Sequence, residues 1–150
     1  ILRCLVGSEM CIRDRSGGAL GYIIRESGII NSLSINDVKG LASILSVFII
    51  AAIIKTIQGS STVAIVTTCA ITTPLIQSIG MTSELEKVIL IISIGSGAMT
   101  ISHINDSYFW VVSKYSNIEM NDVLKFFSTT TLIQGLFGLL TSITLYIFLS

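Results

Sequence analysis

Two short polar stretches interrupt otherwise apolar sequence, and their side chains are of types that bind polar solutes and carry protons. The first is Gln58-Gly59-Ser60-Ser61-Thr62-Val63-Ala64, and the second is Thr100-Ile101-Ser102-His103-Ile104-Asn105-Asp106-Ser107. Hydroxyls such as those of Ser60, Ser61 and Thr62 both donate and accept hydrogen bonds. His103 supplies an imidazole, a side-chain type that can accept and pass on protons. Asp106 lies three residues further on, which on a helix would place the two side chains on one face. Ionisable groups held at membrane depth are costly and are functional candidates by default. The plainer reading is a satisfied His–Asp pair that locks a broken helix. For the hydroxyl tract it is helix packing with back-bonding to i−4 carbonyls. Packing is the favoured reading for Thr67, Thr68, Thr72 and Thr73. Lys55, one turn before the first stretch, has three options: a bound anion, Asp106, or snorkelling to the membrane interface.

The elements that must position these groups are apolar helices. Hydrophobic residues make up 51% of the 150 residues and charged residues 12%, half the share of an ordinary soluble domain. Mean hydropathy is +0.85. The formal net charge is zero and basic residues do not cluster, which argues against a nucleic-acid partner. Length alone allows about four to six crossings at ~20 residues each. Between Lys55 and Glu84 no residue is charged. In lipid every backbone polar group needs an internal partner, so irregular backbone survives only inside protein or beside a water-filled cavity. Two interrupted apolar segments with polar groups at the breaks therefore point to a substrate site in a transporter.

The pattern predicts a helix over Leu41 to Ile57, with Asn36 or Ser34 as its N-cap. An apolar, threonine-rich arm follows over Ile65 to Ile79, kinked by Pro74, the single proline. Short arms around a Gly-Ser-Ser tip describe a re-entrant hairpin, and a continuous helix kinked at Gly59 is the alternative. Thr82 or Ser83 ahead of Glu86 offers a capping box before Val88 to Met99. Lys114 to Lys125 reads as a charged loop, and Phe126 to Leu149 as a spanning helix with Gly135 and Gly138 for packing. The loop Lys and Arg residues are too evenly spread to fix orientation.

The first fifteen residues differ in composition. They hold Arg3, Glu9, Arg13, Asp14 and Arg15, two of the three cysteines, and no initiator Met or signal-peptide core. Leu5 to Arg15 resembles translated sequencing-adapter read-through, so residues 1–15 are expected to be non-native and 16–150 a membrane domain fragment. Cys4 and Cys11 have poor zinc-site spacing. Cys69 is expected as a small buried hydrophobe. Ser16-Gly17-Gly18-Ala19-Leu20-Gly21 suits close helix approach or a loop rim, and lacks the Lys-Ser/Thr of a phosphate loop. Neither a metal nor a cofactor is expected.

QGSSTVA, the downstream SHINDSYFW and a closing helix after a polar loop together resemble the C-terminal part of the gluconate permease family of proton symporters. SGGALGYIIRESGI resembles the segment preceding those motifs. The resemblance covers Ser16 to Ser150 and implies an all-α polytopic protein of the ion-transporter superfamily type, with a re-entrant hairpin and broken helices. It implies proton-coupled uptake of gluconate or a related sugar or hydroxy acid across the bacterial inner membrane. It also implies a longer carrier whose N-terminal half is the missing partner, and it is compatible with a homo-oligomer. Carried onto this sequence, it puts Gly59, Ser60, Ser61, Thr62, Ser102 and Asn105 around the substrate. His103 and Asp106 then become the proton-coupling candidates and Lys55 a candidate anion contact. Broken-helix N-termini would aim N–H groups at the substrate carboxylate.

Three alternatives compete with this reading. One is a carrier for another organic anion of the superfamily. A second is an intramembrane serine hydrolase using Ser60 or Ser102 with His103 and Asp106. Against it, hydroxyls come as a tract and His103 is poorly placed to aim at its neighbour. The third is a purely structural membrane subunit, which would leave the paired helix breaks unexplained.

Overall fold

The computed structural model describes residues 40–149 throughout, apart from the side chains of residues 77 and 78, and, before them, only residues 12, 15, 18, 19, 21–23, 26 and 27. The expectations for Cys4, Cys11, most of residues 1–28 and the Ser34 or Asn36 cap therefore lie outside the described residues. The described backbone is helical, with seven α-helices among the described residues 40–149.

Helix α1 spans Leu41–Gln58, as its unbroken aliphatic run predicts. At 18 residues it is about 27 Å long, close to the ~30 Å of a bilayer core. It stops at Gly59, whose φ of 68° and ψ of 15° are left-handed and whose N–H closes the last turn on Lys55 O at 2.8 Å. Glycine adopts this conformation without a Cβ penalty, which makes it the usual helix terminator.

Helix α2 (Ser61–Thr72) starts at once, with Ser60 in extended conformation and its Oγ accepting the Val63 N–H at 3.4 Å. The first break thus narrows to Gly59 and Ser60, shorter than the seven-residue island in the sequence. Ile65 and Cys69 pack against the cluster that contains Ile44, Val47 and Ala51 of α1. The two helices therefore form a hairpin, and a continuous helix kinked at Gly59 is excluded. Thr72 and Thr73 donate to the carbonyls of Thr68 and Cys69, both at 2.7 Å, as the packing reading expects. Gly21 is buried, and a Cβ there would sit 3.2 Å from Ala70 Cβ, so at this one position the early glycines do serve close approach. At Pro74 the helix tightens into a 3₁₀ turn over Thr73–Leu75 before α3 (Ile76–Ile79).

Helix α4 (Glu84–Ala98) begins with the expected capping box, in which the Ser83 N–H donates to Glu86 Oε2 at 3.0 Å. It lies tightly along α1. Ser93, fully buried, donates to Ile44 O at 2.8 Å, and a Cβ on Gly97 would stand 2.9 Å from Ala51 Cβ. The shared core is Ile44, Val47, Ala51, Ile79, Met81, Ile89, Leu90 and Ile94.

Helix α5 (Ser107–Ser116) follows the second break and ends at Asn117 with φ 55°. Helix α6 (Met120–Asp122), a π-helical turn (Val123–Phe127) and α7 (Ser128–Leu149) then run on as one 30-residue rod. Much of the expected loop from Lys114 to Lys125 is therefore helical. Its charges are exposed, Lys114, Asp122 and Lys125 on helical positions and Glu119 at the extended N-cap of the next helix, where they cost nothing in solvation. Gly135 and Gly138 do pack closely: a Cβ on either would overlap Thr100 or Ser96 of the neighbouring segment. Among the described residues two helical stretches, Leu41–Gln58 and Met120–Leu149, are long and apolar enough to cross a membrane, and Ser61–Leu75 is shorter. Helix α4, at 15 residues, is likewise shorter than these two.

Candidate functional site

The two breaks meet. A Cβ on Gly59 would overlap the backbone carbonyl of Asn105, so only glycine lets the chains approach this closely. Asn105 Nδ2 donates to Ile57 O at 2.7 Å, using one of the carbonyls left free at the end of α1. The paired approach that the two polar islands suggest is thus present in the structure.

Beneath this contact lies a buried ion pair. Lys55 Nζ is 2.7 Å from Asp106 Oδ2, and the residues are 1% and 5% exposed. Ser102 Oγ donates to the same oxygen at 2.6 Å, and the Tyr108 N–H donates to Oδ1 at 3.0 Å. Asp106 is the N-cap of α5 and Lys55 sits in the last turn of α1. Each charge therefore lies at the helix end whose partial charge it complements. Desolvating two such ions costs several kcal/mol each, and only close geometry with further hydrogen bonds repays it. Three donors on one carboxylate meet that condition. Of the three options for Lys55, this structure adopts the Asp106 pair, and burial rules out snorkelling here.

His103 does not share a helical face with Asp106, because residues 101–106 are not helical. Its Nδ1 stands 3.4 Å from Ile101 O, while its own carbonyl accepts the Asp106 N–H at 2.8 Å. Ile101 has φ 29°, a strained value for a β-branched residue. The break holds this conformation because its backbone is gripped from α7. The Ser102 N–H donates to Thr131 Oγ1 at 3.1 Å, and Ser128 Oγ donates to Ser102 O. Trp110 Nε1 donates to Ile104 O at 2.8 Å.

Of the residues expected at the site, the structure gathers Lys55, Gly59, Ser102, Asn105 and Asp106. Ser60 caps α2 at the same junction, Ser61 is half-buried and Thr62 exposed in its first turn, and His103 is half-buried in the second break. Trp110 is one of the aromatics whose sequence position suits an interface or a site lining, whereas Thr131 and Ser128 were not legible as site residues. The one signal was the run Ser128-Thr129-Thr130-Thr131 opening an apolar helix. Gln58 Oε1 is buried without a partner among the described residues.

Apolar helices broken in pairs, with polar and charged groups at the breaks, are a pattern seen at the substrate sites of membrane carriers. The profile of the GntP family permeases matches residues 10–148, and the chain belongs to that family. It is 32% identical over 124 residues to the high-affinity gluconate transporter of Escherichia coli K12, covering 82% of this chain and 27% of that protein. It is 32% identical over 126 residues to the inner membrane permease YgbN of the same strain, covering 83% and 27%. To the D-serine transporter DsdX of Escherichia coli CFT073 it is 30% identical over 125 residues, again covering 83% and 27%. The chain thus spans about a quarter of the length of these relatives. No solved structure matches it. The family is one of transporters and not of enzymes. The geometry agrees on the hydrolase alternative: Ser102 donates directly to Asp106, so His103 is not interposed as a base.

Proposed function

We propose that this chain supplies part of the substrate and proton site of a multi-pass carrier in the bacterial inner membrane. The carrier takes up gluconate or a related sugar or hydroxy acid together with protons. The observation that carries this reading is the meeting of the two breaks over the buried Lys55–Asp106 pair. A titratable carboxylate, hydroxyls at the start of α2 and the N-termini of α2 and α5 converge there. Such N-termini suit a bound carboxylate, and Ser60, Ser61 and Thr62 suit the hydroxyls of a sugar acid.

The apolar helix Ser61–Leu75 is shorter than the stretches Leu41–Gln58 and Met120–Leu149, and falls short of the ~30 Å of a bilayer core. That supports a re-entrant hairpin with Gly59 and Ser60 at its tip. Similarity to the D-serine transporter keeps a second substrate in view, a small amino acid that shares the carboxylate.

The test is uptake of labelled gluconate by cells that carry a transport-competent permease bearing this stretch. Saturable uptake that collapses with a protonophore and is competed by sugar acids is expected. Uptake of D-serine with none of gluconate would replace the substrate, and uptake indifferent to the pH gradient would overturn proton coupling.

A further inference from the structure

The Lys55–Asp106 pair has a chemical asymmetry that bears on coupling. Asp106 keeps its other partners in either protonation state. The Tyr108 N–H can bond to Oδ1 of a carboxylate or a carboxylic acid, and the Ser102 hydroxyl can turn from donor to acceptor for a proton on Oδ2. Lys55 has no such reserve. Its hydrogen bond among the described residues goes to Asp106, and it is 1% exposed. Protonating Asp106 therefore leaves a buried ammonium without a counter-charge, which is a costly state. An incoming carboxylate removes that cost.

Resting on the carrier reading above, we propose that Lys55 Nζ is the seat of the substrate carboxylate, which Asp106 occupies in the empty carrier and vacates on taking up a proton. The proton from the loading side binds Asp106 Oδ2, the ion pair opens, and the substrate carboxylate pairs with Lys55. On the far side the proton leaves, and the Asp106 carboxylate reclaims Lys55 and expels the substrate. The site is neutral in both states, so one proton moves with one monocarboxylate and no net charge crosses.

Among the described residues few other titratable groups lie on the elements around the pair. In the second break there is His103, and at the start of α5 there is Tyr108, which is exposed. Helix α1 contributes Lys55 alone, and α4 carries its charges in its first turn, at the far end. Helix α2 adds only Cys69, more than two turns from the tip, and α7 only Tyr146 near its end.

The test uses the transport-competent permease in proteoliposomes, with gluconate as probe. In the unsubstituted protein, gluconate affinity should weaken with rising pH by up to about tenfold per unit, the slope of one linked proton. Accumulation should respond to a pH gradient and not to an imposed potential. Asp106→Asn should bind gluconate with a flat pH profile, exchange it at equal pH, and lose gradient-driven accumulation. Lys55→Gln should lose gluconate binding by at least about tenfold, and the doubly neutral Lys55→Met with Asp106→Leu should fold but not bind. Affinity independent of pH in the unsubstituted protein, potential-driven accumulation, or binding retained in a folded double variant would each overturn the proposal. A permease that binds gluconate at no pH would instead remove the carrier reading on which it rests.

Discussion

Gly59 is the residue on which both breaks depend. Its φ of 68° is left-handed, and a Cβ would run into Asn105. Gly59→Ala is therefore expected to cost at least about 1–2 kcal/mol from backbone conformation alone, with the steric clash added. A lowered thermal transition of the purified permease, with reduced gluconate uptake, is the expected result; unchanged values would mean that the breaks separate easily. Ser61→Ala and Thr62→Ala act differently, since neither side chain is fully buried. Each should weaken substrate affinity by roughly 1 kcal/mol per lost hydrogen bond and leave stability unchanged. Unaltered affinity in both would remove the hydroxyl tract from the site. At this scale the residue types were legible and their partners were not. Lys55 and Asp106 lie 51 positions apart, and nothing in local spacing selects Asp106 over an external anion. The His103–Asp106 face failed because spacing predicts contact only where the backbone is helical.

Helices with long aliphatic runs were read well from the sequence. Helix α1 ends within a residue of expectation, and the Ser83–Glu86 box opens α4 where the pattern places it. The stretch from Lys114 to Lys125 was misread, because exposed charges fit a solvated helix as readily as a loop. The π turn over Val123–Phe127 has no sequence mark at all. It brings Phe127 to within 5.9 Å of Tyr108 and 6.5 Å of Phe109, measured between ring centroids, so tertiary packing of aromatics has overridden local preference. The glycines of α4 give a paired prediction. A methyl group on Gly95 would meet nothing within 4 Å, whereas one on Gly97 would run into Phe48 and Ala51 of α1. Gly95→Ala should hold or raise stability by up to about 1 kcal/mol, as helix propensity predicts. Gly97→Ala should lower it, because α1 and α4 must separate. Thermal unfolding of both variants in detergent checks the pair, and equal effects would refute this account of the α1–α4 contact.

At the scale of the whole molecule, the chain spans 27% of the length of its gluconate-transporting relative. Alternating access needs one bundle to move against another around the site. The 150-residue stretch produced by itself is accordingly expected to give no gluconate uptake in vesicles that lack other permeases. Robust uptake there would mean that copies of this stretch supply the moving partner for one another. Helix α7 presents Leu132, Ile133, Leu136, Phe137 and Leu140 outward, a surface that lipid or a further part of the carrier can cover. Yet the inner side of the same helix holds Ser102 at both its N–H and its carbonyl, through Thr131 and Ser128. The carboxylate beside Ser102 is thereby geared to α7, and its ammonium partner belongs to α1. Any slide of one helix past the other is delivered to the ion pair with no slack. The pair then behaves as a latch whose bolt is on the outer rod and whose keeper is on the inner one.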